Sequence, residues 1–208
     1  NAIKEYSYNW LKDQLTKEKK MIPANAEVKS ITPAPAIQPK PVVEEKPKTS
    51  VDFERCKMIV TLVKRYGIKH IVMSSGSRNL NLARLFEAEP YFKIYRVTDE
   101  RSAGFYALGI AARLGEPVVM CCTSGTATSN YLTSITEAYY QHIPLVVITG
   151  DRYPRYLGQD EEQTIPQAGM YGKVVKKCVS LPQDPTALGD WEARRMVCEA
   201  LLEVKHHG

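Results

Sequence analysis

Four short polar clusters in this 208-residue chain carry side chains suited to chemistry. Ser77-Arg78 follows Gly76 at the start of a helical pattern. Helix N-terminal amides beside a guanidinium suit a carboxylate or a phosphate, although a cap followed by an exposed Arg reads the same way. Asp99-Glu100 places two carboxylates where an extended run meets a helix. A carboxylate there can hold or transfer a proton. It can equally be an N-cap and a first-turn acid, worth about 0.3–1 kcal/mol against the helix dipole. Thr123-Ser124-Gly125-Thr126 follows an apolar run and has the form of a phosphate-binding turn, but lacks the Lys of a Walker motif. Asp151-Arg152, after Gly150, reads as a cap or as a second anion clamp.

The elements between the clusters must position them. Phe53, Cys56, Met58-Ile59 and Leu62-Val63 recur at helical spacing, with Gly67 as the stop. Ile68–Met73 predicts a short buried strand that turns through Ser74–Arg78 into a helix over Leu80–Ala88. Phe92–Val97 predicts a second strand, and Arg101–Leu114 a helix ended by Gly115. Pro117–Thr123 and Pro144–Thr149 are continuously apolar, which predicts strands buried on both faces. One helix over Ala127–Gln141 joins them. Tyr153–Gln167 reads as a polar loop, followed by a helix or turn over Ala168–Gly172, a strand over Lys176–Leu181 and a last helix over Pro185–Lys205. This alternation predicts an α/β fold: a doubly wound, mainly parallel sheet with helices on both faces. Ligands in such folds bind beyond the strand C-termini. All four clusters are therefore expected on one edge.

The remaining composition narrows the classes. Residues 1–20 read as an amphipathic helix, or a remnant of an upstream element, with Ile3, Tyr6, Trp10, Leu11 and Leu15 on one face. Residues 21–50 hold six of the 13 Pro and no Gly or aromatic residue, which predicts a semi-rigid spacer. PAPAIQPKP within it could also serve as a docking motif. Residues 51–208 form the expected domain. Of the net charge of +5, residues 1–50 supply +3, from nine Lys against six acids. The +2 left over, with no basic and aromatic platform, excludes nucleic acid as a partner. No apolar run reaches the roughly 18 residues of a membrane span. Five Cys, an odd number without CxxC spacing, read as reduced thiols in a cytoplasmic protein. No metal ligand set is expected, His206-His207 being a solvated terminus.

The order GSR (76–78), DERSAGFYALGIA (99–111), TSGTA (123–127), GDR (150–152) and QTIPQAGMYG (163–172) resembles the N-terminal pyrimidine-binding domain of thiamine-diphosphate enzymes. It is nearest the 2-succinyl-5-enolpyruvyl-6-hydroxy-3-cyclohexene-1-carboxylate synthases of menaquinone biosynthesis. The resemblance covers about residues 53–205. It implies that Glu100 hydrogen-bonds N1′ of the cofactor's aminopyrimidine and promotes its proton transfer. It also implies cofactor contacts from Thr123, Ser124, Gly125 and Thr126. Ser77, Arg78, Arg152 and Gln163 match the family's contacts to its anionic substrates. The implied activity is that of a transferase that decarboxylates 2-oxoglutarate and adds the carbanion to isochorismate. A related carboligase or decarboxylase acting on another 2-oxo acid is the alternative within the family. The implied partner is a second subunit, in a homodimer or homotetramer.

Three departures accompany the resemblance. Ser75 stands where the family has Pro, Tyr153-Pro154-Arg155 where it has Pro-Pro-Glu, and Asp160-Glu161-Glu162 where small residues and Asn are usual. Three acids beside a polyanion pocket would repel its ligand unless they point to solvent. The Gly-Asp-Gly…Asn motif that holds diphosphate and Mg²⁺ in a separate domain does not occur in the 208 residues. The expectation is a fragment that alone neither binds thiamine diphosphate tightly nor turns over. A non-catalytic interaction module that keeps the fold is the competing class. A nucleotide-binding domain of another type is disfavoured, since neither GxGxxG nor Gly-Lys-Ser/Thr occurs.

Overall fold

Two strands without an exposed residue form the middle of the sheet: β1, His70–Met73, and β3, Val118–Cys122. With β2, Lys93–Arg96, and β4, Leu145–Thr149, they make a four-stranded sheet in the order β2-β1-β3-β4. Every pairing is parallel, with Val72 beside Tyr95 and Met120, and Met120 beside Val147. These come from a computed structural model that describes residues 50–206, all within a unit spanning Pro47–Gly208. The helix and spacer expected over residues 1–49 lie outside the described residues.

Alternate strand residues point to opposite faces, and each face is covered. Ile71, Met73, Val119 and Cys121 pack under α1 (Val51–Arg65), α2 (Leu80–Ala88) and the C-terminal α6 (Ala187–His206), together with Val63, Phe86 and Leu201. Val72, Val118, Met120 and Cys122 pack under α3 (Glu100–Leu114), with Ala103, Ala107 and Ala111, and under α4 (Thr126–Asn130) and α5 (Leu132–Gln141). The small residues of α3 allow close approach. A Cβ on Gly104 would fall 2.1 Å from Ser134 Oγ on α5. Helices on both faces of a parallel sheet are the doubly wound α/β arrangement expected. Among the described residues no helix is long and apolar enough to cross a membrane.

Three expectations need correction. The single helix over Ala127–Gln141 is two, α4 and α5, because the fully buried Tyr131 ring turns the chain inward. There Tyr131 N–H bonds back to Thr128 rather than one residue further. The strand expected over Lys176–Leu181 is irregular. It lines the same cavity as β4 and pairs with no strand among the described residues, and Arg55 secures the chain beyond it by donating to the carbonyls of Pro182 and Asp184. For the same reason β4 is half-buried along its whole length, not enclosed like β3. Its outer side faces that cavity of about 830 Å³, shared with α1 and α6.

Candidate functional site

The strand order reverses between β1 and β3, so their C-terminal turns form the crevice where such sheets bind ligands. On the β1 side, buried Asn79 closes the turn. Its Oδ1 accepts from Gly76 N–H (2.9 Å) and its Nδ2 donates to Ser74 O (2.9 Å). The turn then lies directly on β3's turn. A Cβ on Gly76 would stand 2.4 Å from Thr123 Cβ, and Arg78 N–H donates to Thr123 Oγ1 at 3.3 Å.

On the β3 side, Thr123, Ser124 and Gly125 are buried and Thr126 is exposed. Gly125 has φ +77°, the left-handed region that only glycine enters freely. Its open face is also filled, since a Cβ would stand 2.8 Å from the Gln163 backbone. Ser124 Oγ donates to Gln163 O at 3.0 Å. Gly125 N–H is committed to Gln167 Oε1 at 2.7 Å, and Gln167 Nε2 donates to Gly150 O, at the end of β4, at 2.8 Å. α4 is only five residues long, so the Thr-Ser-Gly-Thr turn lacks the long helix of a phosphate site.

Beyond β4, Asp151 Oδ1 accepts from Arg152 N–H at 2.7 Å. Partial desolvation pushes the Asp151 carboxyl up, and that N–H works against it. The two guanidinium groups meet at one loop. Arg78 donates to Gln163 Oε1 (2.7 Å) and Glu162 O (3.1 Å); Arg152 donates to the same carbonyl at 3.4 Å. Glu161 Oε2 lies 3.7 Å from Arg152. The buried Nε of Arg152 has no acceptor. All three acids, Asp160, Glu161 and Glu162, are exposed, and Glu161 also lies beside Arg152 as a counter-ion. Tyr153-Pro154-Arg155 builds an aromatic-cationic wall beside them. Arg155 lies 5.0 Å from the Tyr153 ring and 5.1 Å from Tyr156, and Arg152 lies 6.0 Å from Tyr156.

Glu100 is half-buried, the first residue of α3, just after Asp99, whose side chain caps the helix by accepting from Ser102 N–H at 2.7 Å. The strand leading there is anchored by Ser74, which donates to Val97 O at 2.8 Å. The Glu100 charge reaches the end of β3. Burial first, then Cys121, and last Glu100 push the Cys122 thiol up and keep it protonated. Ser77 is exposed beside Arg78, and Glu100 joins none of the hydrogen bonds that link Arg78, Thr123–Gly125, Arg152 and Gln163.

The structure thus brings Arg78, Arg152 and Gln163 into one cluster packed on Thr123–Gly125, with Glu100 on the same edge but outside the network. Sequence reasoning missed Gln167 and Asn79. The only signals were a second Gln four residues after Gln163 and a polar residue directly after Arg78.

Residues 56–170 match the family model described as thiamine pyrophosphate enzyme, N-terminal TPP binding domain. The 2-succinyl-5-enolpyruvyl-6-hydroxy-3-cyclohexene-1-carboxylate synthase of Bacteroides thetaiotaomicron is 45% identical over 157 residues, 76% of this chain and 28% of that protein. The Porphyromonas gingivalis protein of the same name is 44% identical over 151 residues, 72% and 26%. That of Desulfotalea psychrophila is 43% identical over 136 residues, 65% and 25%. The chain therefore spans about a quarter of the length of the curated relatives it matches. With more than half of its residues inside the matched model, the chain belongs to the family of thiamine pyrophosphate enzyme N-terminal TPP binding domains.

Proposed function

We propose that this chain is the pyrimidine-binding part of a longer thiamine-diphosphate enzyme, a synthase that decarboxylates 2-oxoglutarate and adds the resulting carbanion to isochorismate. The observation that carries this reading is the half-buried carboxylate of Glu100, held at the crevice edge by the Asp99 cap and outside the surrounding hydrogen-bond network. Such a group is free to accept a hydrogen bond from N1′ of an aminopyrimidine.

The residues present fit one end of the cofactor. Glu100 and the Thr123–Thr126 turn offer a carboxylate and a tightly packed wall for a flat heterocycle. No Lys or Arg occurs in that turn. Among the described residues no group of three or more His, Cys, Asp or Glu could hold a metal ion. In this reading, as the family resemblance implies, another domain holds the diphosphate and Mg²⁺, in a dimer or tetramer, and this chain alone binds the cofactor only weakly. When bound, thiamine diphosphate supplies the carbanion chemistry. Glu100 holds the proton at N1′, which favours the tautomer able to remove a proton from C2; such positioned transfer is worth roughly 10²–10⁴-fold. Arg78 and Arg152 neutralise substrate carboxylates, with Ser77 and Gln163 supplying neutral hydrogen bonds.

In the full-length enzyme, Glu100→Gln keeps the side-chain shape and removes the charge. C2 proton exchange followed by NMR should fall by at least about a hundredfold with the fold unchanged. Exchange at the wild-type rate would remove Glu100 from this role.

A further inference from the structure

We infer that Gln167 is a positioning residue that locks the Arg152 clamp to the Thr123–Gly125 turn. This rests on the proposed function, in which the turn faces the cofactor and Arg152 faces the anionic substrate. Gln167 is buried, though it lies in an otherwise polar and mostly exposed segment. Its amide is used at both ends. Oε1 accepts from Gly125 N–H at 2.7 Å, and Nε2 donates to Gly150 O at 2.8 Å. One side chain therefore spans the C-terminal turns of β3 and β4. Neither backbone group has an exposed alternative: Gly125 and Gly150 are both buried.

The two linked points control different parts of the site. Gly150 is two residues before Arg152, and its own Cα packs on Arg78, where a Cβ would lie 3.1 Å from the Arg78 backbone. Holding Gly150 thus fixes where both arginines leave the sheet. Gly125 fixes the other wall. Its neighbour Ser124 holds Gln163 O, four residues before Gln167, so the segment 163–167 is pinned to the turn at two places. The β3–β4 ladder already ties Gly150 to β3, its N–H donating to Cys122 O at 2.9 Å; the Gln167 amide adds the side-chain link from Gly125 itself to Gly150 O. Misplacement by about 1 Å can cost as much as 10²-fold when groups must converge on one ligand.

Because the amide's two atoms do different jobs, two substitutions separate them. Gln167→Glu retains an acceptor for Gly125 N–H but cannot donate to Gly150 O as a carboxylate. Gln167→Met keeps the approximate volume and loses both bonds. The measurement is made on the full-length enzyme with saturating isochorismate: KM for 2-oxoglutarate, half-saturation by thiamine diphosphate, kcat and Tm. Gln167→Glu should raise KM about tenfold and leave cofactor half-saturation within about twofold. Gln167→Met should raise both. A purely structural role would lower Tm and the active fraction while leaving both half-saturation constants alone, and that result overturns the inference. If Gln167→Glu does not fold, unchanged constants in Gln167→Met overturn it equally. Arg152→Ala, measured alongside, tests the underlying reading. If it leaves KM unchanged, the site assignment is wrong; if it raises KM while the Gln167 variants do not, only the role of Gln167 is wrong.

Discussion

The two walls of the crevice are built differently. The wall formed by the turns after β1 and β3 is held by contact. Gly76 lies on Thr123, Gly125 lies on Gln163, and Asn79 is buried with both ends of its amide satisfied. The wall formed by Arg78, Arg152 and the loop around Glu162 is held by charged and polar groups that remain half-exposed or exposed. The first resembles a core and cannot move without loss of packing. The second is a set of donors temporarily matched to the chain's own oxygens, one of them a carboxylate. Close packing is thus concentrated in one wall and solvent-accessible charge in the other.

The sharpest way to break this contrast is Gly125→Ala. It combines a left-handed φ with a Cβ 2.8 Å from a backbone atom, and should destabilise the domain by about 3 kcal/mol in urea unfolding. Asn79→Leu comes next. It leaves Gly76 N–H and Ser74 O without their partner and should cost about 2 kcal/mol in the same measurement.

On the other wall, Arg152→Ala should change stability by less than about 1 kcal/mol. A loss equal to that of Gly125→Ala would erase the distinction between the walls. Glu161→Gln removes the internal competitor of Arg152 and should lower the KM for 2-oxoglutarate about two- to fivefold in the full-length enzyme. A higher KM would mean that Glu161 assists binding.

The smallest effect concerns the approach to Glu100. Hydrogen bonds from Ser102 hold the exposed Asp99 carboxyl below its ordinary value of 3.8. Its contribution is therefore complete above that value and fades as pH falls through the lower folded one. A Tm series from pH 5 to pH 2 should show a slightly steeper acid-side decline for wild type than for Asp99→Asn, which keeps a neutral cap acceptor.

Much of this was legible in advance. Helical spacing and short apolar runs gave the alternation, and parallel topology carried the clusters to one edge. Burial of individual strands was less legible. Val118–Cys122 and Leu145–Thr149 are both short and mainly apolar, yet only the first is enclosed. An apolar run reports a preference for burial, whereas the number of neighbours is decided elsewhere in the chain. Lys176–Leu181 has the composition of a strand, but it joins no ladder among the described residues. The break at Tyr131 was hidden because Thr, Ser and Asn continue a helical pattern without a Gly or Pro. Gln167 had no periodic signal, since a lone polar residue in a polar loop looks solvated until its partners are located. Glu161 could be read as repulsive from charge alone; its position beside Arg152 gives it a different function.

The parallel order also bears on how the site comes into being. Arg78 meets Thr123 across 45 positions, Gly125 meets Gln167 across 42, and Arg78 meets Gln163 across 85. Contacts of such separation require large loops to close before they return any free energy, so their formation falls late and the domain should be a slow folder. No early hairpin or helix pair contains the clamp. The chain assembles the Arg78–Arg152–Gln163 cluster only when the central strands are already in register, and a misfolded intermediate cannot hold a partial version of the finished crevice.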